Sequence, residues 1–222
     1  MPDLNFVIEG VEPVQHAAAP QLAFHLRIRD ADPPTPIQSV LLRIQIRIEP
    51  TGRRYDREDE PRLRDLFGSA ESWGRTMRSM LWTNVNLFVP AFTETTTVEL
   101  PVPCTFDFNV AATKYFYALD DGAIPLSLLF SGTVFFESER GLQAVPISWE
   151  REARFGLPAS VWHEMMQKYY PDSAWLCLRR DAFDRLNEYR SRMGLPTWEQ
   201  ALDRLLLDQS EKIPVGDAPA RG

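Results

Sequence analysis

The segment IQSVLLRIQIRIEP, residues 37–50, constrains the fold more than any other stretch of this chain. Val40, Leu42, Ile44, Ile46 and Ile48 alternate with Arg43, Gln45, Arg47 and Glu49. Side chains of a strand point to opposite faces in turn, so this pattern predicts a strand with one face in a core and the other in water. QLAFHLRIRD repeats it, with Leu22, Phe24, Leu26 and Ile28 inward and His25, Arg27 and Arg29 outward; Pro33, Pro34 and Pro36 supply the turn between the two.

Further strands are expected at Leu4 to Ile8, Thr83 to Val89, Thr96 to Pro103, Ile124 to Glu137 and Gln143 to Trp149, about seven in all. Short connections and polar outer faces favour an antiparallel arrangement, because a parallel sheet needs helices alternating with its strands. IPLSLLFSGTVFF is apolar on both faces and reads as a central strand, with Gly132 marking a bulge. The expected fold class is α+β: an antiparallel β-sandwich over residues 1–155, with helical insertions near 60–80 and 107–119. A mainly helical region with one short strand follows over 156–210, and then a disordered tail over 211–222. Pro61, Leu63, Leu66, Phe67, Ala70, Trp73 and Met77 mark the first insertion as two short helices, since Gly68 and Gly74 interrupt it. Phe108, Ala111, Ala112, Tyr115 and Leu119 line one face of the second. Pro158 opens a helix with the stripe Val161, Trp162, Met165, Met166 and Tyr169, and Pro171 stops it.

A net charge of -7 and a pI near 5.1 argue against general binding of nucleic acid or anionic membrane, both of which need clustered Lys and Arg. MPDLNFVIEG has neither the basic stretch nor the apolar run of a signal peptide, so a cytoplasmic location is expected. Cys104 and Cys177 are the only cysteines, which fits a reducing compartment and leaves no disulfide framework.

Catalytic patterns are sparse. His163 and Glu164 open HEMMQ, but the zinc helix needs a second imidazole one turn on, where Gln167 stands. His16, His25 and His163 are the only histidines, a poor basis for a zinc site or a histidine-activated nucleophile. Cys104 is in phase with Val98, Leu100 and Val102 and reads as a core thiol, although Asp107 opens a helix close by. Asp120 with Asp121, Glu137 with Glu139 and Glu150 with Glu152 lie at turns and strand ends, where water screens them. No enzyme activity, cofactor or metal is expected. A pocket between sandwich and helices, around Cys104 and Asp107, is the enzyme alternative.

The aromatic residues Trp149, Trp162, Tyr169, Tyr170 and Trp175 gather in sequence at the junction of sandwich and helices. Amphipathic rings serve either a core or an interface, and these five are the candidate partner-binding residues. From Trp175 to Leu206 a short strand, the helix DAFDRLNEYRSRMG and the helix TWEQALDRLL resemble the ribbon-helix-helix modules that read DNA as dimers. Only Arg179 or Arg180 could read a base edge, and six arginines face six acidic residues over 175–210. Such a neutral module gains little from counterion release, so packing or association, including a homodimer, is preferred to DNA reading.

LPVPCTFDFNVAATKYFYALDDGAIPLSLLFSGTVFF, VPISWEREARFGLP and YYPDSAWLCLRRDAFDRL resemble a bacterial family of unknown function associated with gene clusters of high-affinity uptake nickel-iron hydrogenases. The resemblance implies a non-catalytic accessory or assembly protein that binds a hydrogenase subunit, a maturation factor or an electron-transfer partner. It implies no catalytic residue.

Overall fold

The computed structural model describes residues 1–31, 36–105, 110–174 and 176–210, the last three by their backbone alone. Two compact units divide the chain, Met1–Ser173 and Ala174–Gly222.

In the first unit, β1 (Leu4–Pro13), β2 (Gln21–Asp30) and β5 (Thr95–Pro103) form one sheet in the order β1-β2-β5. The second holds β3 (Ile37–Ile48), β4 (Met80–Val89), β6 (Ala123–Ser138), β7 (Gly141–Pro146) and β8 (Glu152–Pro158). Its order is β4-β3-β6-β7, and β8 also pairs with β6. Every pairing is antiparallel. The fold is therefore the expected α+β sandwich. Phe6 of β1 stacks on Phe130 of β6 with ring centroids 4.3 Å apart, and Phe24 of β2 meets Trp82 of β4 and Phe155 of β8 edge to face. These contacts join the two sheets, and Phe24 makes two of them from the inward face that alternation assigned to it.

Eight strands appear among the described residues where about seven were expected: the run expected at 143–149 stops at Pro146, and β8 follows as a further strand. The chain leaves the edge of β6 after the bond from Ile147 N to Gly132 O (2.9 Å) and rejoins it where Phe130 N donates to Arg151 O (2.9 Å). Between these bonds Ser148, Trp149 and Glu150 bulge outward. Gly132 itself is not a bulge: the β3–β6 register runs unbroken through Leu42 opposite Gly132. Its φ of +140° and the 1.9 Å that would separate an added Cβ from the Leu41 carbonyl oxygen show a close approach of two backbones instead.

Helices close the sandwich. α1 (Asp59–Phe67) and α2 (Trp73–Thr76) are the two short helices expected, and α3 (Val110–Tyr117) is the described part of the second insertion. α4 (Ala159–Tyr169) buries Trp162, Met165 and Met166, with Trp162 edge to face against Phe116 and Tyr117. That burial draws α4 into the first unit, so the division falls at 173/174 and not at 155/156. The second unit contains α5 (Arg180–Arg192) and α6 (Trp198–Ser210). The strand expected before α5 is absent among residues 176–179, which belong to no ladder. Pro33, Pro34 and the disordered tail expected at 211–222 lie outside the described residues. No described helix is long and apolar enough to cross a membrane.

Candidate partner-binding groove

Outward positions of β3, β6 and β8 lie side by side across the larger sheet. Arg47 faces Ser127, which faces Arg154, and the next row runs from Gln45 through Leu129 to Glu152. After β3 the chain turns through residues 50–52, tied down by the bond from Glu49 N to Pro125 O (2.9 Å). The result is a groove of about 950 Å³ between that turn and β8. Gly52 and Gly156 keep its floor low: a Cβ on either would come to 3.0 Å from Pro125 Cβ or Ala123 Cβ.

Four guanidinium groups and two carboxylates line it: Arg47, Arg53, Arg54 and Arg154 against Glu49 and Glu152. Both carboxylates are engaged within the protein. Ser79 Oγ donates to Glu49 Oε1 at 2.5 Å while accepting from Arg47 Nε at 2.8 Å. Glu152 Oε1 accepts from Ser127 Oγ at 3.1 Å and from Arg154 Nε at 3.0 Å. Arg53 is aimed by main-chain acceptors, its Nη1 donating to Asp121 O at 3.1 Å and its guanidinium lying 5.4 Å from the Tyr55 ring centroid. The exposed Arg54 side chain has no charged partner among the described residues. In a chain of net charge -7 this is a local excess of positive charge suited to carboxylates, which a guanidinium fork binds well.

Tyr55 holds the arginine turn in place. Its hydroxyl donates to Pro50 O at 2.6 Å, which leaves the Tyr115 hydroxyl, 2.7 Å away, to donate to it. Burial pushes both phenols above their ordinary pKa, Tyr115 the further, so the pair stays protonated and acts as a tether between the turn and α3.

The five aromatic residues expected at a binding junction are dispersed. Trp149 is 83% exposed on the bulge, three positions before Glu152 at the groove. Trp162, 2% exposed, is core. Tyr169 and Tyr170 are half-buried at the end of α4, and Tyr169 donates to Ala17 O at 2.8 Å. Trp175 lies outside the described residues.

Cys104 is buried, donating to Val102 O at 3.3 Å, and burial pushes its thiol up to about 12. The cavity beside it, lined by Trp82, Phe116 and Trp162 among others, holds about 10 Å³, room for about one water and no substrate. Asp107 lies outside the described residues. His163 Nε2 bonds the Leu119 carbonyl at 2.7 Å, the satisfied state of an ordinary helix histidine. Asp120 pairs with Arg62, and Glu137 accepts from Gln38 at 3.1 Å. Among the described residues no three His, Cys, Asp or Glu converge as a metal site would require.

Sequence reasoning missed the groove. β8 is not among the expected strands, although Ala153, Phe155 and Leu157 alternate with Glu152, Arg154 and Gly156. That alternation was the available signal.

No curated protein matches the chain significantly in sequence. A crystal structure described as the ApaA protein from Bordetella pertussis is 15% identical, with 70% of this chain and 93% of that one covered and a TM-score of 0.27. A solution structure described as a late embryogenesis abundant protein is 13% identical, with 71% and 73% covered and a TM-score of 0.29. Both scores are too low for a shared fold or function to be read from them. The family match is of another order: a family of unknown function, DUF6084, matches residues 1–214, and the chain belongs to that family.

Proposed function

We propose that this protein is a non-catalytic accessory or assembly factor that binds an acidic segment of a protein partner in the groove of the larger sheet. The observation that carries the reading is the groove's charge: four arginines against two carboxylates already engaged by Ser79 and Ser127. Trp149 at the adjoining sheet edge supplies the exposed aromatic anchor that interfaces favour. The resemblance of the sequence to a hydrogenase-associated family suggests a subunit or maturation factor of a nickel-iron hydrogenase as the partner.

The test is affinity purification of the tagged full chain from its native host during hydrogenase expression, beside an Arg53→Glu, Arg54→Glu double variant. A stoichiometric partner recovered with the wild type and reduced tenfold or more with the variant is the expected result. Loss of a charged hydrogen bond costs about 1.5–3 kcal/mol, which is at least tenfold in affinity. Equal recovery by both, or no partner for either, refutes the reading.

A further inference from the structure

The outward face of the larger sheet continues beyond the arginine groove. Its positions run along β3 in rows two residues apart, each row set by the ladders on both sides of that strand. Two residues before Gln45, Arg43 lies between Asn86 of β4 and Ser131 of β6. Two further on, Leu41 lies between Phe88 and Thr133. These six residues border a second hollow, of about 580 Å³, on the same face of the sheet. Phe88 is 61% exposed and Leu41 50%. Directly opposed side chains of neighbouring strands lie close enough to touch, so the two make one apolar patch and not two scattered residues. The exposed Arg43 stands beside them, and none of the described residues lining the hollow is a carboxylate.

We propose that the acidic segment read into the groove is extended and carries a large apolar side chain that fills this second hollow, an inference that rests on that reading of the groove. Charge complementarity continues along the face. Arg47 and Arg154 share the first row, on either side of Ser127. The second row, Gln45 with Leu129, already holds the engaged carboxylate of Glu152. Arg43 supplies the third and the Leu41–Phe88 pair the fourth. Guanidinium groups select carboxylates, and a like charge beside Glu152 is disfavoured. The rows repeat about every 7 Å, the distance an extended chain covers in two residues, so alternate side chains of the segment meet successive rows. The partner's pattern at alternate positions is therefore acid, neutral, acid, large apolar. A further acid two residues before the first reaches the turn that carries Arg53 and Arg54.

The experiment is fluorescence anisotropy on the full chain with fluorescein-labelled peptides of about 12 residues, the scale set by that spacing. Two peptides carry glutamate at the second, fourth and eighth positions, with glycine and serine elsewhere. One has phenylalanine at the tenth position and the other serine. Both are also made in reversed order, because an extended segment has two directions in which to lie along a strand. The phenylalanine peptide is expected to bind about tenfold more tightly than its serine control in one order, through burial of the ring. Phe88→Ser is expected to abolish that preference and leave the affinity of the serine peptide unchanged. Arg53→Glu with Arg54→Glu weakens both peptides about tenfold. Leu41→Ser is the second variant of the patch, and near-ultraviolet dichroism reports that each variant stays folded. Equal affinity for the phenylalanine and serine peptides in both orders, or a preference that survives Phe88→Ser and Leu41→Ser, overturns this inference and leaves the acidic reading of the groove standing. No binding of any peptide up to about 1 mM overturns both.

Discussion

The two units treat apolar side chains in opposite ways. In the sandwich, Leu22, Phe24, Leu26, Ile28, Ile44, Ile46 and Ile48 are fully enclosed by the facing sheet and by one another. In the second unit Leu176, which precedes α5, and Leu206 and Leu207 of α6 are mostly exposed, although α6 carries an apolar stripe. The two cysteines repeat the contrast, Cys104 enclosed and Cys177 exposed. Amphipathic pattern alone therefore does not make a core. Two layers must face each other, and a sandwich supplies both from one chain while a helix pair of this size does not.

Four measurements break or sharpen that contrast. Gly132→Ala has the largest expected effect, because its Cβ would lie 1.9 Å from the Leu41 carbonyl oxygen and the strand cannot move without its neighbours. A loss of at least ~3 kcal/mol is expected in urea denaturation of the first unit. Leu26→Ala, in the closed core, should cost about 3 kcal/mol by the same assay, while Leu207→Ala should leave the sandwich transition within ~0.5 kcal/mol of wild type. Comparable losses from both would show that the units share one cooperative core.

The cysteines provide the third. The Cys104 thiol is raised to about 12, so its neutral form is the one the fold favours. That contribution is complete below the ordinary thiol range near pH 9 and is lost as pH rises towards 12. Over this window stability should fall by up to ~1.4 kcal/mol per pH unit from this group, and Cys104→Ala should flatten the fall. At pH 8 a disulfide reagent should modify Cys177 about a thousandfold faster than Cys104 in the native protein. Equal rates would mean that the sandwich opens far more readily than its packing implies. The smallest effect is expected from Tyr55→Phe, which removes the hydroxyl bridging Pro50 O and Tyr115 and should cost about 1 kcal/mol in stability. It should also weaken any ligand of the arginine turn while leaving Arg54 in place, which the affinity of an acidic peptide would report.

Much of the sandwich was legible because alternation is local. Residues 21–30 and 37–48 are strands as their pattern demands, with the assigned residues inward. Trp149 was misplaced, since nothing in GLQAVPISWE tells a continuing strand from one that leaves its neighbour at Ile147 and returns at Arg151. Gly132 was noticed for the right reason and given the wrong one, because a bulge and a close backbone approach demand the same freedom of φ. The groove was illegible. Arg154 is far in sequence from Arg47 and the turn that carries Arg53, and only the pairing of β3 with β6 and of β6 with β8 sets them on one surface.

By itself the sequence determined which residues alternate and where helices start and stop. These follow from neighbours within a turn or two, where sterics and solvation act directly. The tertiary structure decided the strand order, the division after Ser173, the burial of Trp162 against Phe116, and the charge of the groove. Each depends on residues that are distant in sequence, and the pairing that brings them together is chosen by the burial of the whole core.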